Sequence, residues 1–269
     1  MFKNNSELAS LLGIDKLKQE TSQSLSLGAT ANVGDFSFTV DAYQITIEDR
    51  IVLSGKFSPT PALQPIFDAA GAGKAQFLAN AVDTKNTGID VVLGHQLEIG
   101  SNMHLSSSFA ATFSTTEITN INVPSKIAAE GLSGDFFDAQ EEAFLTIARP
   151  RTKWNLTEMF TANSWSVMLR FAYFGEVTDP DQLGGQPRVE GATIDPLAVY
   201  GGKLVTDLSL SKTFNENTTI TLGANNLLDT YPDENRPGSQ SNASFPYSRR
   251  TSQFGFMGRY VFAKLSFTL

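Results

Sequence analysis

The sequence predicts an all-β fold, a transmembrane antiparallel β-barrel of which about nine strands are present. Three observations carry this reading. Apolar residues recur at every second position over long stretches. Tight connections (Ala31-Asn32-Val33-Gly34-Asp35, Glu98-Ile99-Gly100-Ser101-Asn102, Thr161-Ala162-Asn163-Ser164-Trp165 and Phe214-Asn215-Glu216-Asn217-Thr218) alternate with long ones near 55–84, 120–149, 179–202 and 229–252. A soluble sandwich has no reason to sort its connections by length, whereas a membrane barrel has short periplasmic turns and long extracellular loops. Finally, no apolar run approaches the ~18 residues of a transmembrane helix. A mean hydropathy of −0.12 is what strands with one lipid-facing and one lumen-facing side average to.

The elements follow in order. The first strand, about 18–31, sets Leu25, Leu27, Ala29 and Ala31 against Ser24, Ser26, Gly28 and Thr30. The second, about 36–54, begins with Phe36, Phe38 and Val40 outward, then changes phase at Ala42-Tyr43, which fits either a bulge or an exit from the bilayer. Strand three, about 85–97, alternates Ile89, Val91 and Leu93 with Gly88, Asp90 and Gly94. Strand four, about 103–119, does the same with Met103, Leu105, Phe109, Ala111 and Phe113. After a loop with a short helix between Asp135 and Thr146, strand five runs over about 151–160. Strand six has the clearest alternation, with Trp165, Val167, Leu169, Phe171 and Tyr173 on one parity. The last three are placed at about 203–213, 218–228 and 254–269.

A soluble sandwich also alternates, with its apolar face inward. Here aromatics fall near strand ends (Trp165, Tyr173, Tyr260), where an interfacial girdle sits, and the opposite faces are small and hydroxylated. The net charge of −8 argues against nucleic acid as a partner. The absence of cysteine excludes disulfides, thiolate nucleophiles and Cys-based metal sites. His95 and His104, the only two histidines, flank one short turn. They make a poor metal site, so no metal or cofactor is expected. They also lie at the wrong strand end for a hydrolase acting at the cell surface, so the chain is not read as an enzyme. No Gly-rich phosphate loop is present.

Single-chain bacterial barrels have an even number of strands. Nine strands, the first entering from outside, leave at least one upstream strand to be expected. Residues 1–17 then read as an extracellular loop remnant, and residues 18–269 as the C-terminal portion of a barrel. The segment Met1-Phe2-Lys3-Asn4-Asn5-Ser6 has no apolar signal-peptide core, which an exported protein requires.

Specific residues carry a family resemblance. Asp41-Ala42-Tyr43-Gln44-Ile45-Thr46-Ile47-Glu48-Asp49-Arg50-Ile51 resembles a barrel strand of TonB-dependent outer-membrane receptors. So do Asn86-Thr87-Gly88-Ile89-Asp90 and Arg149-Pro150-Arg151-Thr152-Lys153. Ala224-Asn225-Asn226-Leu227-Leu228-Asp229-Thr230-Tyr231-Pro232 is similar to the family's segment near the C-terminus. Phe245-Pro246-Tyr247-Ser248, Phe254-Gly255-Phe256 and Gly258-Arg259-Tyr260-Val261-Phe262-Ala263-Lys264-Leu265-Ser266-Phe267 resemble its final hairpin. The resemblance implies an outer-membrane receptor of a Gram-negative bacterium, a barrel of about 22 strands closed by a plug. It further implies uptake of a scarce ligand (siderophore-iron, haem, cobalamin or glycan), driven by TonB through that plug. No plug or TonB box is found in this sequence. A porin-like channel or a truncated, non-functional remnant are the alternative readings.

Candidate site residues follow. Arg149, Arg151 and Lys153 fit either neutralisation of an anionic siderophore or anchoring at the membrane interface. Tyr231, Phe245 and Tyr247 lie in the last long loop, where aromatics can face a ligand. The terminal Val261, Leu265, Phe267 and Leu269 alternate as a signal read by the barrel-assembly machinery, with Leu269 in place of the usual aromatic. Acidic residues of the loops, among them Asp179 and Asp181, read as solvated charge in preference to contacts with a cationic ligand or with divalent ions of the lipopolysaccharide layer.

Overall fold

The computed structural model describes residues 1–191, 193, 195, 198–215, 217–235, 245–248 and 250–267. Its strands are β1 (Thr21–Val33), β2 (Phe36–Leu53), β3 (Leu78–Ile99), β4 (Met103–Ile121), β5 (Thr152–Ala162), β6 (Trp165–Phe174), β7 (Val177–Thr178), β8 (Val199–Tyr200), β9 (Lys203–Asn215), β10 (Thr218–Asn225) and β11 (Tyr260–Phe267). Nine form one sheet in the order β1-β2-β3-β4-β5-β6-β9-β10-β11, every pairing antiparallel. β7 and β8 pair separately within a loop. Among the described residues β1 and β11 are free edges of an open sheet. β1 and β11 both run from the loop end to the turn end, so a seam between them would be parallel.

Tight hairpins hold the register. Gly34 (φ 57), Gly100 (φ 67) and Asn163 (φ 54) take the left-handed conformation that tight antiparallel turns require. From these turns the ladder sorts side chains onto two faces. Ala29, Val40, Val91, Ala111, Trp154, Tyr173 and Leu204 form one row across seven strands. Leu97, Leu105, Phe160, Val167, Leu210, Leu222 and Ala263 form another on the same face. The opposite face carries the row Asn32, Ser37, Gly94, Ser108, Thr157, Arg170 and Asp207. One face is therefore a predominantly apolar band and the other a polar wall, as lipid-out, lumen-in strands require.

The observed strands differ from the expected ones at their ends. β3 begins at Leu78, well above the expected start, because its upper part pairs with β2 beyond the register shift (Ile51 with Asn80, Leu53 with Leu78), and the Asn80 side chain adds bonds to the Lys18 and Asp49 backbone. β10 stops at Asn225 and β11 starts only at Tyr260, since the chain turns at Asn226 (φ 51) and Gly258 (φ 70). The phase change at Ala42-Tyr43 is not a bulge. Both neighbouring ladders run through it without interruption, and the β2–β3 register shifts only between Ile47 and Ile51, where Asp49 has φ 55. Tyr43 continues the lumen face and packs over Gly88, which leaves space for its ring.

The buried core sits beyond the loop end rather than on the sheet. Short helices α1 (Glu7–Leu11), α2 (Gln64–Ala69), α3 (Ser125–Ala129), α4 (Ser133–Phe136) and α5 (Ala139–Thr146) occupy the first two long connections and the N-terminal segment. Ser6 caps α1, its side chain accepting from the Ala9 amide. Leu8, Leu12, Phe57, Phe67, Phe77 and Phe136 close into one cluster. Residues 1–17 are thus tied into a packed loop assembly. On the sheet itself Leu27 is 81% and Leu265 70% exposed, as a lipid-facing surface requires.

The Asn225-Asn226-Leu227 motif closes β10 by geometry. The Asn226 amide donates to the Thr230 carbonyl (2.7 Å) and accepts from the Thr230 amide (2.8 Å), while its own N–H donates to Asp207 (2.7 Å). Asn226→Ala is expected to destabilise the fold by about 2 kcal/mol, from a strained φ and two lost hydrogen bonds. Asn226→Gly is expected to lose less, since glycine accepts the φ. Urea unfolding from lipid vesicles measures both; equal losses would exclude backbone conformation as the constraint.

Candidate functional site

The site is built by three loops laced together beyond the ends of β5, β6, β9 and β10. Asp179 is fully buried and opens a short 3₁₀ turn, Pro180–Leu183. Its carboxylate accepts from the Asp181 amide (3.1 Å), the Tyr200 hydroxyl (2.9 Å) and the Ser248 hydroxyl (2.9 Å). The last long loop is thereby fastened to the loop before it. Burial, and then the Asp179 carboxylate, push the Tyr200 phenol well above its ordinary range, so it stays a donor. Further ties are an Arg250–Asp181 ion pair (2.5 Å), Arg250 over the Phe144 ring (5.5 Å) and the Thr251 hydroxyl donating to the Ala148 carbonyl (2.5 Å).

On this frame the structure brings the expected aromatics together. Tyr231 and Tyr247 stack with centroids 6.1 Å apart and 3° between planes. Phe245 meets Tyr247 edge-on at 6.0 Å, and Phe256 joins both at 5.0 and 5.9 Å. Tyr231 is 38% and Phe256 40% exposed, so ring surface remains open to a ligand. Asp229 (φ 58) aims this turn, its carboxylate accepting from the Arg259 amide at 2.7 Å.

Arg149 and Arg151 line a separate cavity of about 600 Å³ with Tyr173, Glu176 and Thr178. Neither makes an ion pair among the described residues. Two guanidiniums against the single carboxylate of Glu176 leave a net positive lining, which suits an anion. Lys153 lies apart on β5, over the Phe174 ring at 5.9 Å. Val261, Leu265 and Phe267 alternate on the apolar face of β11; Leu269 lies outside the described residues. His95 stacks on Phe36 at 4.2 Å on the apolar face. His104 sits on the lumen face between Glu98 (3.0 Å) and Gln96 (2.7 Å), so the two rings do not converge.

Sequence reasoning missed Asp179 and Tyr200 as the fastening point, because a lone loop carboxylate has no local signature. It also left out Phe256, whose place beside Phe245 and Tyr247 depends on the loop folding back. It passed over Glu158, which period-two reading of Trp154-x-Leu156-x-Glu158-x-Phe160 would have set on the apolar face.

An open sheet with an apolar outer band, a polar wall and a laced loop assembly defines part of an outer-membrane-type β-barrel. The chain belongs to the TonB dependent receptor-like β-barrel family, whose profile matches residues 2–227. Among solved structures it is similar to the FrpB iron transporter of Neisseria meningitidis in its apoprotein form (TM-score 0.56, 15% identity, 94% of this chain and 32% of that one). It is also similar to the ferric yersiniabactin uptake receptor FyuA of Yersinia pestis (TM-score 0.55, 14% identity, 92% and 30%). A third is the copper transporter OprC (TM-score 0.53, 17% identity, 94% and 33%). The chain spans about a third of the length of these structures. No curated protein matches it.

Glu141, on α5, provides a pH test of the loop assembly. Burial and then the neighbouring Asp138 carboxylate raise its pKa to about 7, against the opposing pull of Arg250. A carboxyl group raised in the fold stabilises it fully below its unfolded value, and that contribution is lost as pH rises through the folded value. Amide exchange in α5 is therefore expected to quicken between pH 5 and pH 8 relative to Glu141→Gln; identical pH profiles would contradict this.

Proposed function

We propose that this chain is the C-terminal barrel portion, residues 18–269 preceded by loop residues 1–17, of an outer-membrane receptor that takes up a scarce ligand. The observation that carries the proposal is the open aromatic group of Tyr231, Phe245, Tyr247 and Phe256, held on a loop frame that Asp179 fastens. Flat aromatic faces suit a conjugated or ring-bearing ligand. Arg149 and Arg151, which form no ion pair among the described residues, suit its negative charge. Of the ligand classes open to the family (siderophore-iron, haem, cobalamin, glycan), a ferric siderophore and haem both combine conjugated rings with negative charge. The ferric yersiniabactin uptake named for FyuA favours a siderophore, and FrpB is named for iron.

In this reading the chain performs binding and transport rather than chemistry. Its loops tighten on the ligand because the closed arrangement binds it better than the open one. Outer-membrane lipid and lipopolysaccharide surround the apolar band of a Gram-negative outer membrane. Val261, Leu265, Phe267 and Leu269 serve the barrel-assembly machinery. TonB acts through a plug carried by another part of the full-length protein.

The test uses the full-length receptor and ferric enterobactin-type tris-catecholate, followed by quenching of tryptophan fluorescence. Tyr247→Ala and Phe256→Ala are each expected to weaken binding about tenfold, the loss of one aromatic contact of roughly 1–1.5 kcal/mol. Unchanged affinity in both, with the wild type binding tightly, would remove the aromatic group from the site.

A further inference from the structure

Two methionines face each other on the polar wall. Met159 of β5 and Met168 of β6 are ladder partners on the lumen side, in the row Gln96, Ser106, Met159, Met168 and Ser209. The next row toward the turn end carries Glu98, His104, Thr161, Ser166 and Ser211. Their neighbours in these rows are hydroxyls and an amide, so packing against apolar side chains does not account for the pair. Met159 is 37% exposed and Met168 is half-buried, so both thioethers open to the lumen. The Ser166 hydroxyl donates to the Met159 sulfur at 3.1 Å, which places that sulfur toward the His104 row.

Directly opposed side chains of an antiparallel ladder have Cβ atoms about 4.5–5.5 Å apart, and diagonal neighbours about 7–8 Å, within reach of long side chains. Met168 is directly opposite Met159, and His104 is diagonal to it. The imidazole is already oriented. Its Nδ1 lies 3.0 Å from Oε1 of Glu98, and its Nε2 lies 2.7 Å from Oε1 of Gln96. A carboxylate that keeps the proton on Nδ1 leaves Nε2 to a metal, the usual support of a ligating histidine. Gln96 is held in turn by Ser106, to whose hydroxyl its amide donates at 2.8 Å. Neither methionine stands near His104 in the sequence; the ladder alone brings the three together.

Two thioethers and an imidazole are a soft donor set, which selects Cu(I) over the hard cations that take carboxylates and water. We propose that Met159, Met168 and His104 bind Cu(I) on the lumen wall near the turn end, with Glu98 as the positioning residue that holds Nδ1. Binding turns the Gln96 side chain away from Nε2, and the copper stays Cu(I) throughout. The inference stands on the register of the sheet and the lumen-facing sense of its polar wall, and it is independent of the ligand taken up at the loops.

The test titrates Cu(I), kept reduced by ascorbate under nitrogen, into the full-length receptor in detergent micelles, in competition with the chelator bicinchoninate. The number of Cu(I) ions withheld from the chelator is expected to fall by one when Met159→Leu and Met168→Leu are combined, substitutions that nearly conserve volume. His104→Ala is expected to weaken binding of that ion about a hundredfold, and Glu98→Gln, which loses one supporting contact, about tenfold. Met257→Leu, at a loop methionine that is 86% exposed, is expected to change nothing. Protease resistance verifies that each variant is folded. A wild-type receptor that withholds no Cu(I), a count unchanged by the double substitution, an affinity indifferent to His104→Ala, or an equal loss in Met257→Leu would overturn the proposal. Unchanged affinity in Glu98→Gln would overturn the positioning role of Glu98.

Discussion

Everything in this chain depends on one requirement: inside a bilayer every backbone N–H and C=O must find a partner within the protein. The nine-stranded ladder meets it along its interior, each strand pairing on both sides except β1 and β11. Because side chains alternate along a strand, the same ladder fixes which residues meet lipid. A single slip would turn Trp165, Val167, Leu169, Phe171 and Tyr173 into the lumen and Arg170 into hydrocarbon. Tight turns with left-handed residues are therefore as important as the apolar side chains, since they hold that register.

The hydrophobic effect acts in a different place from that in a soluble domain. Leucines and phenylalanines of the sheet stay exposed, and the packed aromatic cluster of Phe57, Phe67, Phe77 and Phe136 lies among the loops. Those loops face water and so must build their own core. Their polar fastening follows the same logic: Asp179 is buried with no ion pair among the described residues, and it is held by a backbone amide and two hydroxyls. On the lumen wall, Arg170 donates to Asp207 through its Nε at 2.8 Å, while Asp207 also accepts from the Asn226 amide. The sheet wall and the β10 turn are thus one hydrogen-bonded unit.

Much of this was legible in the sequence, and the limits are physical. Period-two patterning and turn residues are local, so all nine sheet strands and their short connections could be read directly. The short helix expected between Asp135 and Thr146 appears as α4 and α5, where Asp138 caps the second by accepting from the Glu141 amide. The upper part of β3 was not legible, because its pairing with residues 51–53 of β2 lies beyond a register shift at Asp49, which period-two patterning does not carry. That Tyr231, Phe245 and Tyr247 share the last long loop was legible, but their convergence was not. The stacking geometry was not, since it is imposed by contacts with the preceding loop that lie far away in sequence.

Spanning requires that the apolar face of this sheet meet lipid and the polar face meet the lumen. Single-cysteine labels placed in turn at Ser166, Val167, Met168, Leu169, Arg170 and Phe171 of the full-length protein, in lipid vesicles, test it most directly. A lipid-borne quencher is expected to quench the labels at Val167, Leu169 and Phe171 and to spare those at Ser166, Met168 and Arg170. Quenching without this alternation, or with the opposite parity, would contradict the account.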